Sequence, residues 1–416
     1  MTFIIGPETA SGYGPTGNQG VTVAMFAVLS LVRKPATRIA ALFAFVWLAA
    51  CQPVATTTGG GQPVAPSAPV PVALLLPHGS GVPQEQKLAR DMENAARLAV
   101  ADLGGVQIDL RVYGTAGQAA QARTAAMNAV ADGARIIIGP LHAESANAVA
   151  VAVAGSNVNV LTFSNNPTIA GGNLFVLGQT FDNTADRLVS FATRQGKSRI
   201  MSVYSDNLAG QLGRQAIEQA IARHGATQAG SVGYEFSQDG VVAAVPQIRM
   251  AATQNGADAI FLTANTAGAL PLFSQMLPEA GLSPDTVQYM GLSRWDTPPQ
   301  TLELPGVQGG WFALPDPQRS AQFRQRFEAA YGERPHDLAG LSYDGIAAVG
   351  ALAQTRQRDA LTREALTQSA GFQGVNGVFR FRPDGTNERG LAVATIRQNQ
   401  VVVIDPAPRS FGGAGF

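Results

Sequence analysis

One cysteine in 416 residues, four histidines and 14% charged residues narrow what this chain can be before any motif is sought. A single cysteine, Cys51, allows neither an internal disulfide nor a multi-thiolate metal site, so the fold must rest on core burial. His78, His142, His224 and His336 show no HxxxH or HxxE spacing, so no metal site is expected. Lys plus Arg number 29 and Asp plus Glu 29, leaving no net charge that would call for nucleic acid or an anionic lipid surface as partner. No Walker motif is present. Gly291-Leu292-Ser293-Arg294-Trp295 lacks the second glycine of a nucleophile elbow. His78-Gly79-Ser80-Gly81 has the look of an oxyanion loop with no nucleophile to serve. The expectation is therefore a protein with no catalytic residues, no metal and no cofactor.

The position of Cys51 is informative. It follows the small residues of Leu48-Ala49-Ala50, the apolar stretch Ile39–Trp47 and the basic residues Arg33, Lys34 and Arg38. That order is a secretory signal, and its apolar run is about ten residues where a membrane span needs roughly twenty. A cysteine at this point resembles the lipobox of bacterial lipoproteins, which implies a signal peptide over 1–50 and acylation of Cys51. Residues 1–24 are polar and Gly-rich, and Met25 is expected to be the true start. The run Gly12-Tyr13-Gly14-Pro15-Thr16-Gly17 fits GxGxxG, but it follows no predicted strand and is a chance match. Residues 51–71 are rich in Pro, Gly, Ala and Thr and carry no charge, and are expected to form a flexible linker.

Beyond the linker, apolar strands alternate with amphipathic helical patterns. Val72–Leu76, Ile108–Tyr113, Arg135–Ile138, Val158–Phe163 and Leu174–Leu177 form a first series of predicted strands. Ile200–Tyr204, Gly230–Phe236, Ala259–Leu262 and Val287–Gly291 form a second. Helical patterns lie between most of them, which predicts α/β architecture with parallel sheets covered on both faces. After Leu314 come long helices near 318–331 and 338–357, then a hairpin-like run over Phe379–Arg382, Leu391–Arg397 and Val401–Ile404.

Ligands of open α/β sheets bind beyond the carboxyl ends of the strands. The loops there, Pro77–Gly81, Gly139–Ser145, Ser164–Thr168, Tyr204–Asn207, Thr263–Thr266 and Ser293–Asp296, are rich in hydroxyls, amides and glycine. Four segments carry a resemblance: Ile138–Ser145, Leu161–Thr168, Ser342–Ala348 and Gly371–Gly385. In this order, from about Val70 to Ala407, the chain resembles the leucine-binding-protein group of type I periplasmic binding proteins. The resemblance implies two Rossmann-like lobes joined by three hinge crossings, here near Thr180, Leu314 and Gly377, with a ligand cleft between them. It divides the chain into lobe 1 (72–180 plus 315–376), lobe 2 (181–314 plus 377–407) and a tail (408–416).

The resemblance also places the cleft residues. Ser80, His142, Ser145, Ser164, Asn165 and Thr168 are expected from the first lobe, and Asn265 and Arg294 from the second. Two departures bear on the ligand. Ala143 stands where amino-acid binders of the group have a hydroxyl for the α-carboxylate. Ser293-Arg294-Trp295 stands where they have an acid for the α-ammonium, with Asp296 one step further. A cation opposite an ammonium is repulsive, so a free α-amino acid is disfavoured unless Asp296 takes the acid's place. With the lipobox, these departures make the chain resemble the lipoprotein activators of penicillin-binding proteins. That branch implies a peptidoglycan synthase as partner and, with Gln52 after Cys51, an outer-membrane anchor on the periplasmic side. The alternative is the substrate-binding lipoprotein of an ABC transporter, partnered by a permease and holding an amino acid or another small polar solute.

Overall fold

The computed structural model describes residues 60–65 and 68–412. Cys51, the signal segment, the first part of the linker and the end of the tail lie outside the described residues. No helix among the described residues is long and apolar enough to cross a membrane.

The first series of elements runs β1 (Val70–Leu76), α1 (Pro83–Asp102), β2 (Ile108–Gly114), α2 (Ala119–Ala131), β3 (Ile136–Ile138), α3 (Ala143–Val153), β4 (Asn159–Thr162) and β5 (Leu174–Val176). The strands pair in parallel in the order β2-β1-β3-β4-β5. Continuous apolar runs mark strands buried on both faces, and Leu74, Leu75 and Leu76 have no exposed surface. The second series is α4 (Phe181–Arg194), β6 (Arg199–Ser205), α5 (Leu208–Arg223), β7 (Thr227–Tyr234), α6 (Gln238–Gln254), β8 (Ala259–Leu262), α7 (Leu270–Glu279), β9 (Gln288–Gly291) and β10 (Trp311–Leu314). Its sheet has the order β15-β14-β10-β9-β8-β6-β7, closed by the antiparallel hairpin β14 (Ala392–Arg397) and β15 (Gln400–Asp405). The parallel core of each sheet, covered by helices, makes a Rossmann-like lobe. Helix α4 has no counterpart in the sequence reading. A reciprocal capping box starts it, with the Thr180 hydroxyl accepting from Asn183 N–H and the Asn183 side chain accepting from Thr180 N–H.

After β10 the chain returns to the first lobe. Helices α8 (Pro317–Tyr331) and α9 (Gly340–Ala353) pack there, Phe327 against Ala95 of α1 and Ile346 in the core beneath β1 and β3. A small antiparallel sheet of β11 (Phe372–Gly374), β12 (Gly377–Phe381) and β13 (Asn387–Arg389) follows. The third crossing therefore does not fall near Gly377. Phe372, Phe379 and Phe381 belong to the first-lobe core, with Phe381 5.6 Å from the Phe175 ring, and the chain leaves for the second sheet only after Arg389. Burial of these aromatic rings decides the boundary, and residues 377–389 stay with lobe 1.

The linker also ends earlier than its composition predicts. Val64 is 6% exposed and its N–H donates to Arg358 O at 2.8 Å. Gly60 O accepts from Arg363 N–H at 3.0 Å and from the buried Asn159 side chain at 2.7 Å. At Gly61 a Cβ would come within 2.5 Å of Thr362 Cα, so the backbone lies directly on the first lobe. Partners a hundred and more residues away order this strap, and local composition carries no trace of them.

Candidate functional site

The carboxyl ends of both parallel sheets face a cleft of about 810 Å³ between the lobes, within the range of small-ligand sites. From the first lobe come Leu141–Ala143 after β3, Phe163–Asn166 after β4, Gly178 and Gln179 after β5, and Asp337, Leu338 and Leu341 around the start of α9. From the second come Asn265–Ala267 after β8, Ser293, Arg294, Thr297 and Pro298 after β9, and Pro315 after β10. Asn376, Arg389 and Leu391 form the floor near the third crossing.

The first-lobe loops are built to be rigid. Gly139 has φ +96°, and a Cβ there would meet Leu75 O at 2.3 Å, so only glycine lets the chain turn this close to β1. The carbonyl of Pro140 accepts from Thr162 Oγ1 at 2.7 Å and from Phe163 N–H at 3.0 Å, tying two cleft loops together. Ser164 N–H donates to Thr162 Oγ1, and Ser164 Oγ accepts from Asn166 N–H at 3.2 Å. Asn166 in turn accepts from Thr168 N–H and Oγ1. Asn165 alone in this loop is exposed with no side-chain partner among the described residues. On the facing lobe, Ser293 Oγ donates to Ala264 O at 3.3 Å, and Thr266 and Thr301 hydroxyls meet at 2.6 Å.

Of the residues expected in the cleft, the structure brings together His142, Ser164, Asn165, Asn265 and Arg294. Ser80, Ser145 and Thr168 lie elsewhere. Ser80 is 6% exposed and donates to Glu85 Oε2 at 2.5 Å; the other Glu85 oxygen meets His142 Nε2 at 3.2 Å. Ser80 thus stands behind His142, one side chain removed from the cleft. Ser145 is buried on the inner face of α3 with Ala146, Val149 and Val153, where helical periodicity puts it. Thr168 closes a short 3₁₀ turn and faces a separate groove beside Thr180 and α5. Gln179, Asp337, Asn376 and Arg389 were missed. They sit at crossings and between helices, so the rule of strand-end loops does not find them.

Arg294 carries the one cation of the second-lobe wall. Its Nε and Nη2 donate to the two oxygens of Asp296 at 2.9 and 2.5 Å, while Nη1 has no partner among the described residues. Burial works against this charge, but the Asp296 hydrogen bonds outweigh it and hold the guanidinium above its ordinary pKa, with Asp337 adding to the same effect. Asp296 is thereby consumed: both oxygens face Arg294, and it does not line the cleft. Asp337, exposed on the opposite lobe, is the carboxylate that does. Arg389 is neutralised within the first lobe by Asp344 at 3.2 Å. Trp295 is fully buried between Gly291 and Gly310 and serves as lobe-2 core. Among the described residues no cluster of His, Cys, Asp and Glu could hold a metal ion. The site presents hydroxyls, amides, the Arg294 cation on one wall and the Asp337 carboxylate on the other, and among its described residues no side-chain pair is arranged as nucleophile and base.

Comparison with known proteins agrees with this architecture. No curated protein matches the chain. Among solved structures, a Rhodospirillum rubrum protein assigned as a branched-chain amino acid ABC transporter superposes with TM-score 0.68 at 20% identity, covering 81% of this chain and 100% of its own. The periplasmic ligand-binding protein of a branched-chain amino acid ABC transporter from Burkholderia xenovorans gives 0.65 at 19% identity, covering 83% and 97%. An ABC transporter substrate-binding protein from Desulfitobacterium hafniense in complex with Leu gives 0.59 at 18%, covering 81% and 100%. At these identities the likeness is one of fold. Residues 69–400 match the periplasmic binding protein family, and the chain belongs to it.

Proposed function

We propose that this protein is the solute-binding receptor of an ABC-type importer, closing its lobes on a small polar solute that carries a carboxylate or similar anionic group. The observation that carries this reading is the cleft itself. Asn165 and Asn265 are exposed on opposite walls with no side-chain partner among the described residues, and Arg294 lines the second-lobe wall with Nη1 left unpaired. An anionic group on Nη1 would complete the guanidinium's hydrogen bonding, and the amides would orient the remainder of the solute. Two of the relatives in fold are binding proteins of ABC transporters, one of them holding Leu, which supports the receptor reading over a synthase activator. The partner is then a permease, and acylation of Cys51 would hold the receptor on the periplasmic side of the envelope.

The test is a thermal-shift screen of the full chain against amino acids, amides, carboxylates and muropeptides at millimolar concentration. A ligand at a hundred times its Kd should stabilise the folded state by about 2.7 kcal/mol. At least one carboxylate-bearing solute is expected to raise Tm, and the rise should vanish in Arg294→Gln. No stabilisation by any of them, together with transglycosylase stimulation by the purified chain, would overturn the receptor reading in favour of the activator.

A further inference from the structure

A side pocket of about 190 Å³ adjoins the cleft, and four residues line both spaces: Arg294, Pro315, Asp337 and Asn376. These four form the neck between them. Arg294 comes to it from lobe 2, in the loop after β9, and Asp337 from lobe 1, in the segment between α8 and α9.

Each of the two charges is fixed to its own lobe. The residues flanking Asp337 are pinned: His336 N–H donates at 2.7 Å to the fully buried Asp91 of α1, and Leu338 N–H donates to His336 Nδ1 at 3.1 Å. Arg294 is held by Asp296 through two of its nitrogens. Neither charge is complete. Asp337 is exposed and makes no ion pair or side-chain hydrogen bond among the described residues, and Arg294 Nη1 has no partner there. Arg324, the other cation of the side pocket, belongs to the same lobe as Asp337 and forms no ion pair with it. Asp337 nevertheless acts on Arg294, adding to the effect of Asp296 that holds the guanidinium above its ordinary pKa. Opposite charges thus face the same neck from different lobes, without contact.

The geometry points to an electrostatic latch across the neck: when the lobes close without solute, Asp337 of lobe 1 pairs with Arg294 of lobe 2, and a bound anionic solute takes the place of Asp337. Competition follows from the count of carboxylates. Asp296 already neutralises Arg294. A second carboxylate on the remaining nitrogen leaves one excess negative charge, and a third would leave two about a single guanidinium in a closed cleft, where like charges repel most strongly. Asp337 and the anion of the solute therefore exclude each other at Arg294. Chains closed on Asp337 are unavailable to solute, so the latch raises the apparent Kd by the reciprocal of the open fraction. That last step rests on the receptor reading; the latch itself does not.

The experiment measures the distance between lobes in the solute-free full chain by paired spin labels. Val82→Cys and Leu208→Cys carry the labels, with Cys51→Ser to leave no other thiol. Val82 immediately precedes α1 and Leu208 opens α5, so each lies beyond the carboxyl end of a strand in its own lobe, and both are exposed. The distance distribution should contain a shorter component that shrinks in Asp337→Asn and in Arg294→Gln, shrinks no further in the double variant, and persists in Asp337→Glu. Asp337→Asn should also bind the carboxylate-bearing solute about two- to fivefold more tightly, the strength of one exposed ion pair. A distribution that Asp337→Asn leaves unchanged would overturn the latch. So would weaker solute binding in Asp337→Asn, which would put Asp337 on a cationic group of the solute. The distance measurement contains no solute, so it decides the latch even where the thermal screen finds no ligand.

Discussion

Arg389 Nη1 lies 3.2 Å from Asp344 Oδ2, with 3% and 0% of the two side chains exposed. The pair fixes the last strand of lobe 1 to helix α9, one residue before the chain leaves for lobe 2. Asp344 also accepts from Val375 N–H at 2.8 Å, and Arg389 Nε donates to Leu177 O at 3.1 Å. Burial pushes the Asp344 carboxyl up and the Arg389 guanidinium down, and each charge opposes the other's shift. Held by each other and by the backbone at Leu177 and Val375, the two side chains anchor the floor of the cleft.

Removing one member should expose the cost of the other. Arg389→Ala leaves a buried carboxylate unpaired, and urea unfolding is expected to show a loss of about 3–5 kcal/mol. Asp344→Leu combined with Arg389→Met should recover most of that loss, because a packed apolar pair requires no desolvation. A double variant as unstable as the single would show that the pair acts through its bonds to Leu177 and Val375 rather than through its charges.

Acid should loosen the join between α1 and the later helices. Burial opposes ionisation of Asp102, but hydrogen bonds from Arg326 and from Tyr343, the latter at 2.6 Å, outweigh it and hold its carboxyl below the ordinary value of 3.8. A carboxylate lowered in the folded state contributes stability that is present above pH 3.8 and lost as pH falls through the folded value. Asp102→Asn should therefore narrow the gap between stability at pH 6 and at pH 3, measured by urea midpoint. An unchanged gap would remove Asp102 from the acid response.

How far the sequence reads correctly follows the range of the forces involved. Runs such as Val72–Leu76 and Ala259–Leu262 announce themselves because both faces of each strand are buried. Strand-end loops then follow from topology, and with them Ser164, Asn165, Asn265 and Arg294. Long-range contacts did not read. Phe381 returns to lobe 1 to meet the Phe175 ring, distant in sequence, and Asn159 gathers the strap around Gly60. Ser145 and Thr168 have the right chemistry in the right loops but the wrong side-chain direction, which a one-residue change of helical phase decides.

The strap offers a local test. Gly61→Ala places a methyl against Thr362 Cα and Leu361 O, at 2.5 and 2.6 Å before relaxation. Overpacking of this kind costs about 1–3 kcal/mol. Because the strap precedes β1 and belongs to no sheet, the loss should be local. Hydrogen exchange at Val64 N–H should accelerate while β1 amides remain protected. Protection of Val64 equal to that of the unaltered chain would show that the bonds from Asn159 and Arg363 to Gly60 O hold the strap whatever stands at position 61.

Arg294 should govern solute affinity through its shape as well as its charge. The fork holds Asp296 with two nitrogens and leaves Nη1 for the solute. Lysine keeps the charge but cannot do both at once, since its single ammonium must choose between Asp296 and the ligand. With the solute that the thermal screen identifies, calorimetry should show Arg294→Gln and Arg294→Lys weakening binding comparably. Loss of a charge-assisted hydrogen bond of about 1.5–3 kcal/mol corresponds to a factor of roughly 10 to 150 in Kd. Asn165→Ala and Asn265→Ala should each cost less, near one neutral hydrogen bond. Ser145→Ala and Thr168→Val are the controls: one hydroxyl faces the α3 interior and the other a separate groove, so Kd should not move. Binding at full strength in Arg294→Lys would reduce the site to a point charge. An effect at Thr168 equal to that at Asn165 would move the ligand out of this cleft and into the groove beside α5.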